Sequence, residues 1–216
     1  MNRFSLKTVI VANGFFPSHP APLEALRTAA RVVCCDGAAD KLAGAGLEPD
    51  WVVGDLDSVS AGLRDRFPER LVRVEEQSTN DLSKAFRFCL SRGWSDLLIL
   101  GATGLREDHM LGNLALLADF AREASVLMLT DSGWFTPLLG PASLPSRAGQ
   151  QVSLVALDPR TTVSAQGLKY PVDGLRLERW WTASLNEALG DAVRLSFEGG
   201  ALLVFQTYAE PPPAGH

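Results

Sequence analysis

Cysteine is scarce in this sequence of 216 residues, and its three cysteines form no ligand set. Cys34 and Cys35 are adjacent and Cys89 stands apart; no C-x-x-C or Cys/His spacing occurs, so neither a disulfide framework nor structural zinc is expected. The VVCC run predicts that Cys34 and Cys35 pack as small buried hydrophobes. Long apolar runs are also missing. Near the N-terminus the longest is TVIVA, Thr8–Ala12, too short for a signal-peptide core or a membrane span, and a cytoplasmic protein with no membrane partner is expected. Positive charge is not in excess: 20 Lys and Arg face 25 Asp and Glu. Backbone binding to nucleic acid needs clustered cations, so no nucleic-acid partner is expected. G-x-x-x-x-G-K-[ST] and G-x-G-x-x-G are both absent, which removes P-loop and Rossmann dinucleotide chemistry.

What is present reads as a globular chain of two textures. Hydrophobic residues make up 46% and charged residues 21%, enough apolar material for a sizeable core. Over residues 1–140, short apolar runs alternate with helical patterns. Thr8–Ala12, Arg31–Cys35, Trp51–Val53, Leu71–Val74, Leu97–Leu100 and Val126–Thr130 read as strands. Pro22–Ala30, Ala38–Ala45, Asp81–Ser91 and Asp108–Glu123 read as helices, with Asn80 as an N-cap. Nearly continuous apolar strands belong in a mostly parallel sheet covered on both faces, which predicts a three-layer α/β domain. Pro137, Pro141 and Pro145 then punctuate a connection, with the boundary near residues 137–149. From Gln151 short strands and turns take over, predicting a small all-β sandwich or barrel over residues 145–210. Within it Glu198-Gly199-Gly200 reads as a hairpin turn. Trp180 and Trp181, adjacent on a strand, are expected to point to opposite faces, one into the core. Apolar Trp180, Trp181, Leu202 and Phe205 on so small a domain predict a homodimer.

Ligands of open α/β sheets bind beyond the carboxyl ends of the strands. Those ends carry Asn13-Gly14, Asp36-Gly37, Gly54-Asp55-Leu56-Asp57-Ser58, Asn80-Asp81 and Gly101 through His109. Carboxylates converging there repel one another unless a cation lies between them, and hard oxygen ligands open to phosphate suit Mg²⁺. Taken singly, Asp36, Asp55 and Asp81 are also natural caps or turn formers. His19, among prolines and apolar residues, reads as a surface loop. His109 stands out because it follows Arg106 and Asp108 after a glycine-rich strand end.

Taken together these motifs resemble thiamine pyrophosphokinases over nearly the whole chain, in the same order. The blocks are D-G-A at Asp36–Ala38, L-x-P-D-W-V-V-G-D-L-D-S at Leu47–Ser58, T-N-D-L-S-K-A at Thr79–Ala85 and G-A-T-G-L-R-E-D-H-x-L-x-N-L at Gly101–Leu114. G-L-K-Y-P-V at Gly167–Val172 and S-L-N-E-A at Ser184–Ala188 follow. The resemblance implies an α/β nucleotide-binding domain followed by a β-sandwich, in a homodimer with its active site between subunits, passing diphosphate from ATP to the hydroxyl of thiamine. It implies that Asp55, Asp57 and Asp81 hold Mg²⁺ and act with Arg106 and Asp108. It also implies that Asn13, Gly14, Asp36, Gly37, Lys84, Thr103 and His109 bind ATP, and that Ser184 and Asn186 meet thiamine. Three positions depart from the pattern. Ser78 stands where the family has an acid, Leu105 replaces the second glycine of G-G-R, and Leu185 splits the usual Ser-Asn pair. A diphosphokinase for another hydroxymethyl heterocycle such as a pterin, or a nucleotide-binding module without turnover, are the competing readings.

Overall fold

The computed structural model describes Phe4 and residues 7–208. These divide into two compact units. The first runs to Leu116 and resumes over Glu123–Asp131; the second holds Leu117–Arg122 and continues from Ser132.

The first unit alternates strands and helices: β1 (Thr8–Val11), α1 (Pro20–Arg27), β2 (Arg31–Cys35), α2 (Ala38–Gly44), β3 (Trp51–Gly54), α3 (Ala61–Arg66), β4 (Leu71–Arg73), α4 (Asp81–Ser91), β5 (Asp96–Leu100), α5 (Glu107–Phe120, whose residues from Leu117 on count with the second unit) and β6 (Ser125–Leu129). The strands pair in parallel in the order β6-β5-β1-β2-β3-β4. Val9, Ile10, Val33, Cys34, Val52, Val53 and Leu97 through Leu100 are all essentially inaccessible, as a sheet covered on both faces requires. The thiols of Cys34, Cys35 and Cys89 are buried and free, and burial pushes Cys89 up to about 12. The chain lays down β1 to β4 in one direction and then returns to place β5 on the other side of β1. The loops leaving β1 and β5 therefore diverge at a switch point, where a crevice opens above the sheet.

α3 and the 3₁₀ turn at Pro68–Arg70 were not expected from the sequence; at six and three residues they are too short for periodicity to declare. His19 is not on a surface loop. It is 6% exposed and caps α1, its Nδ1 accepting from Ala21 N–H ahead of Pro20. Proline at the first helical position leaves a turn that a side-chain acceptor completes.

The second unit is strand-rich: β7 (Gly133–Leu138), β8 (Ala142–Pro145), β9 (Gln151–Ala156), β10 (Thr162–Gln166), β11 (Val172–Arg176), β12 (Ala183–Glu187), β13 (Ala192–Glu198) and β14 (Leu202–Thr207). Antiparallel pairings give the orders β12-β9-β14-β7 and β11-β10-β13-β8. One core of Leu144, Leu154, Val163, Val193, Leu202 and Val204, among others, draws on both sheets.

Several local expectations are corrected here. The proline-punctuated stretch is not a connection: it forms β7 and β8, with the prolines late in β7, in the intervening turn and at the end of β8. Proline is tolerated where little ladder remains to be donated. Glu198-Gly199-Gly200 is not a hairpin, because β13 and β14 pair with different strands. The glycines let the chain pass close to its own backbone while changing sheets: a Cβ at Gly199 (φ 112°) would lie 3.0 Å from Thr161 Cα. Trp180 and Trp181 lie in a turn closed by Thr182 N–H to Arg179 O at 3.0 Å, not on a strand. Both are exposed, at 46% and 68%, so neither is core. Leu202 is fully buried and Phe205 half-buried against Phe135, so neither offers the free apolar face expected of it.

Candidate active site

The crevice at the switch point holds a cavity of about 400 Å³, lined by the loops after β1 and β5 and the approach to α4. Its floor is a backbone-to-backbone junction. Gly14 N–H donates to Gly101 O at 2.7 Å and Phe15 N–H to Thr103 O at 2.9 Å. A Cβ on Gly14 would lie 2.4 Å from both carbonyl oxygens, so only glycine fits. Lys41 on α2 holds the same loop from the other side, donating to Asn13 O at 2.9 Å and Gly14 O at 2.7 Å. Burial lowers the pKa of that ammonium. Gly101, Gly104 and Leu105 are all left-handed, at φ 65°, 76° and 61°. The loop they form presents Arg106 at the cavity, where its Nε reaches Asp108 Oδ1 at 3.0 Å. That bond holds Asp108 down at about 2.

Acids enter from three strand ends. Asp36, after β2, is 4% exposed and left-handed at φ 43°. Its Oδ2 accepts from Ser58 N–H at 3.1 Å, while Oδ1 has no hydrogen-bond partner. Burial raises its pKa despite the Ser58 bonds, and the charges of Asp81 and Asp55 push the same way. Asp55, after β3, accepts from Asp57 N–H at 3.2 Å and from Gln77 Nε2 at 3.3 Å, which keep it readily ionised below the ordinary carboxylate value. Asp81 opens α4, and its Oδ1 accepts from Lys84 at 2.9 Å; the Lys84 side chain is only 2% exposed. Glu76 organises the loop before α4, accepting from Ser78 and Thr79, whose hydroxyls hold it at about 2. Asn80 caps the helix through Ser83 N–H at 2.9 Å.

The cavity is therefore lined by two carboxylates, Asp55 and Asp81, and two cations, Lys84 and Arg106. Among the described residues no group of three or more His, Cys, Asp or Glu is placed to hold a metal ion. Hard oxygens on one or two carboxylates are what Mg²⁺ ordinarily takes from a protein, with substrate oxygens completing its shell, so the donor set fits that ion once phosphate is present.

Two family models match the chain: thiamin pyrophosphokinase, catalytic domain, over residues 23–129, and thiamin pyrophosphokinase, substrate-binding domain, over residues 133–205. The chain belongs to the thiamin pyrophosphokinase family. It is 26% identical over 161 residues to thiamin pyrophosphokinase 1 of Caenorhabditis elegans, covering 68% of this chain and 66% of that protein, just under two thirds. To thiamine pyrophosphokinase of Bacillus subtilis it is 25% identical over 172 residues, covering 76% and 80%. The crystal structure of a protein from Lactobacillus plantarum has a TM-score of 0.80 at 24% identity, covering 95% of this chain and all of that one. That of yeast thiamin pyrophosphokinase has 0.78 at 16%, covering 94% and 87%. At such identities the structural likeness shows the fold.

The family motifs are placed unequally. Asn13, Gly14, Asp55, Asp81, Lys84, Arg106 and His109 line the cavity. Asp36 lies buried beside them, and Gly37 packs where a Cβ would come within 3.0 Å of the Asn13 amide. Asp57, Thr103 and Asp108 do not line it: Asp57 is exposed and Thr103 uses its carbonyl for Phe15. In the second unit, Ser184 is exposed and donates to Trp181 O at 2.9 Å. The Asn186 amide is buried and engaged at both ends, accepting from the Tyr170 N–H at 3.1 Å and donating to the Tyr170 C=O at 2.9 Å. Two of the three departures, Leu105 and Leu185 (φ 57°), are left-handed residues without glycine's freedom. Gln77, Lys41 and Asn113 were not assigned roles from the sequence. Gln77 and Lys41 carried no signal, because their partners are distant carboxylate and carbonyl oxygens.

Proposed function

We propose that this chain is an ATP:thiamine diphosphotransferase, giving thiamine diphosphate and AMP. The observation that carries the reading is the switch-point cavity, in which two carboxylates and two cations from separate elements converge within a chain matched by both family models in order. The thiamine hydroxyl oxygen attacks the β-phosphorus of ATP, the bond from that phosphorus to the bridging oxygen of the α-phosphate breaks, AMP leaves, and the hydroxyl proton passes to solvent or base. Such a transfer needs positioning and charge neutralisation more than covalent help. Asp55, Asp57 and Asp81 are the residues that would hold Mg²⁺. The ion, when bound, neutralises phosphate oxygens. Arg106 adds a planar donor fork for phosphate once it leaves Asp108, and Lys84 both offsets and orients Asp81. Asn13, Gly14, Asp36, Gly37, Thr103 and His109 shape the nucleotide end. Ser184 meets thiamine, and Asn186 serves it by fixing Tyr170. The same reading takes the first unit as a three-layer nucleotide-binding domain, the second as a sandwich, and the protein as a cytoplasmic homodimer.

AMP release from ATP, measured with and without thiamine, tests this. Thiamine-dependent AMP is the expected result; a pterin-dependent product or none at all would replace the reading. Asp55→Asn keeps the volume and removes the charge, and turnover should fall by about 10²-fold or more with the fold intact. Arg106→Lys should lower turnover far more than it lowers the melting temperature, because the bond to Asp108 it gives up is an exposed one.

A further inference from the structure

Asn113, in the second turn of α5, is 8% exposed and engaged at both ends of its amide. Its Nδ2 donates to Ala102 O at 2.9 Å, and its Oδ1 accepts from Asn80 Nδ2 at 3.0 Å. Asn80 leaves no freedom in that arrangement. Its Oδ1 is taken by the Ser83 N–H at the start of α4, so its amine end must face Asn113. That in turn points the Asn113 donor at the Ala102 carbonyl, and the network alone determines both amide orientations. Three hydrogen bonds thus run from the first turn of α4, through α5, to the loop after β5. At one end stand Asp81 and Lys84; at the other stand Gly104, Leu105 and Arg106. That loop holds two left-handed glycines in four residues, so its own backbone preferences define its position weakly.

We propose that Asn80 and Asn113 are positioning residues: their relay sets the spacing between the acid-bearing turn of α4 and the Arg106 loop, so that both engage one polyphosphate chain. This rests on the diphosphotransferase reading. A displacement of about 1 Å between reacting partners is enough to cost about 10²-fold in rate, which is the scale on which a lost relay acts.

Asn80→Ser isolates the relay, because serine caps a helix as well as asparagine but carries no amide to reach Asn113. On the full chain, the amide-exchange protection of α4 should stay at its wild-type value and the melting temperature should fall by only a few degrees, for one lost buried hydrogen bond, while the amides of Ala102–Arg106 exchange faster. The kcat should fall about 10–100-fold with KM for thiamine little changed. Asn80→Ser combined with Asn113→Ala should be no slower than Asn113→Ala alone, since both cut one relay. Unchanged exchange over Ala102–Arg106 overturns the proposal. So does faster exchange with wild-type kcat, which would leave a purely structural tie, and so do losses that multiply in the double variant. If the wild-type chain releases no AMP with thiamine, the reaction assignment has failed; the relay is then judged on the unliganded protein by its exchange pattern alone.

Discussion

Asp36 combines features that each cost stability: a left-handed backbone at φ 43°, near-complete burial, and a carboxylate oxygen with no partner. Such strain is kept where a charge is used. Asn tolerates the left-handed region and keeps the acceptor for Ser58 N–H, so Asp36→Asn should raise stability by about 0.5–2 kcal/mol at neutral pH while AMP release falls. The pH dependence has a definite sign. Burial raises the folded-state pKa of Asp36 above its ordinary 3.8, so the folded protein binds the proton more tightly than the unfolded chain. Wild type and variant should therefore be closest below that range, and the variant's advantage should open as pH rises through the raised value. Thermal melts at several pH values measure this. A gap that widens toward low pH would contradict it. Leu105 is the complementary case. At φ 61° and 59% exposed it has little packing to lose, and Leu105→Gly should add about 0.5–1 kcal/mol in a denaturant titration.

Between elements, the site depends on how closely two loops approach. Gly14 and Gly101 meet through backbone atoms, and a methyl group at Gly14 has nowhere to go. Gly14→Ala should lose about 1–3 kcal/mol and depress turnover with it, as overpacking does. Gly44, the last residue of α2, has nothing within 4 Å of its would-be Cβ, so Gly44→Ala should be neutral or gain about 0.5 kcal/mol. Comparable losses at both glycines would remove close approach as the cause. Elements were legible where local pattern and burial agree. β2 and α4 have the bounds that the apolar run and the Asn80 cap predict, because a fully covered strand and a capped amphipathic helix each declare themselves locally.

At the scale of the whole molecule, the second unit leaves Tyr170, Trp180, Trp181, Leu185 and Leu189 at 46–70% exposure, beside β12 at a sheet edge. Large apolar side chains next to an unpaired edge are a partner surface in waiting, and twofold self-association is the commonest way to cover one. The expected outcome is a homodimer in sedimentation at micromolar concentration, shifted toward monomer by Trp181→Glu. A fully active wild-type monomer would count against it. The surface differs from the one composition suggested: Leu202 belongs to the core, and the tryptophans reach solvent through a turn.

Strand and helix alternation, the break into a β-rich second half and the acids at strand ends were all determined by the sequence itself. Each follows from short-range periodicity or from residue chemistry that neighbours within ten positions express. Which acids share a cavity was decided only by tertiary structure. Asp55 and Asp81 line it while Asp57, two residues from Asp55, faces solvent, because the left-handed turn at Leu56 (φ 69°) separates them. The glycines after β13 read locally as a hairpin and act globally as a passage between sheets. Asn113 stood in a recognised motif without a role, because its partners, Asn80 and Ala102, are 33 and 11 residues away and meet it only when α4, α5 and β5 pack. A hydrogen bond between distant residues leaves no period in the sequence, so only the folded chain reveals it.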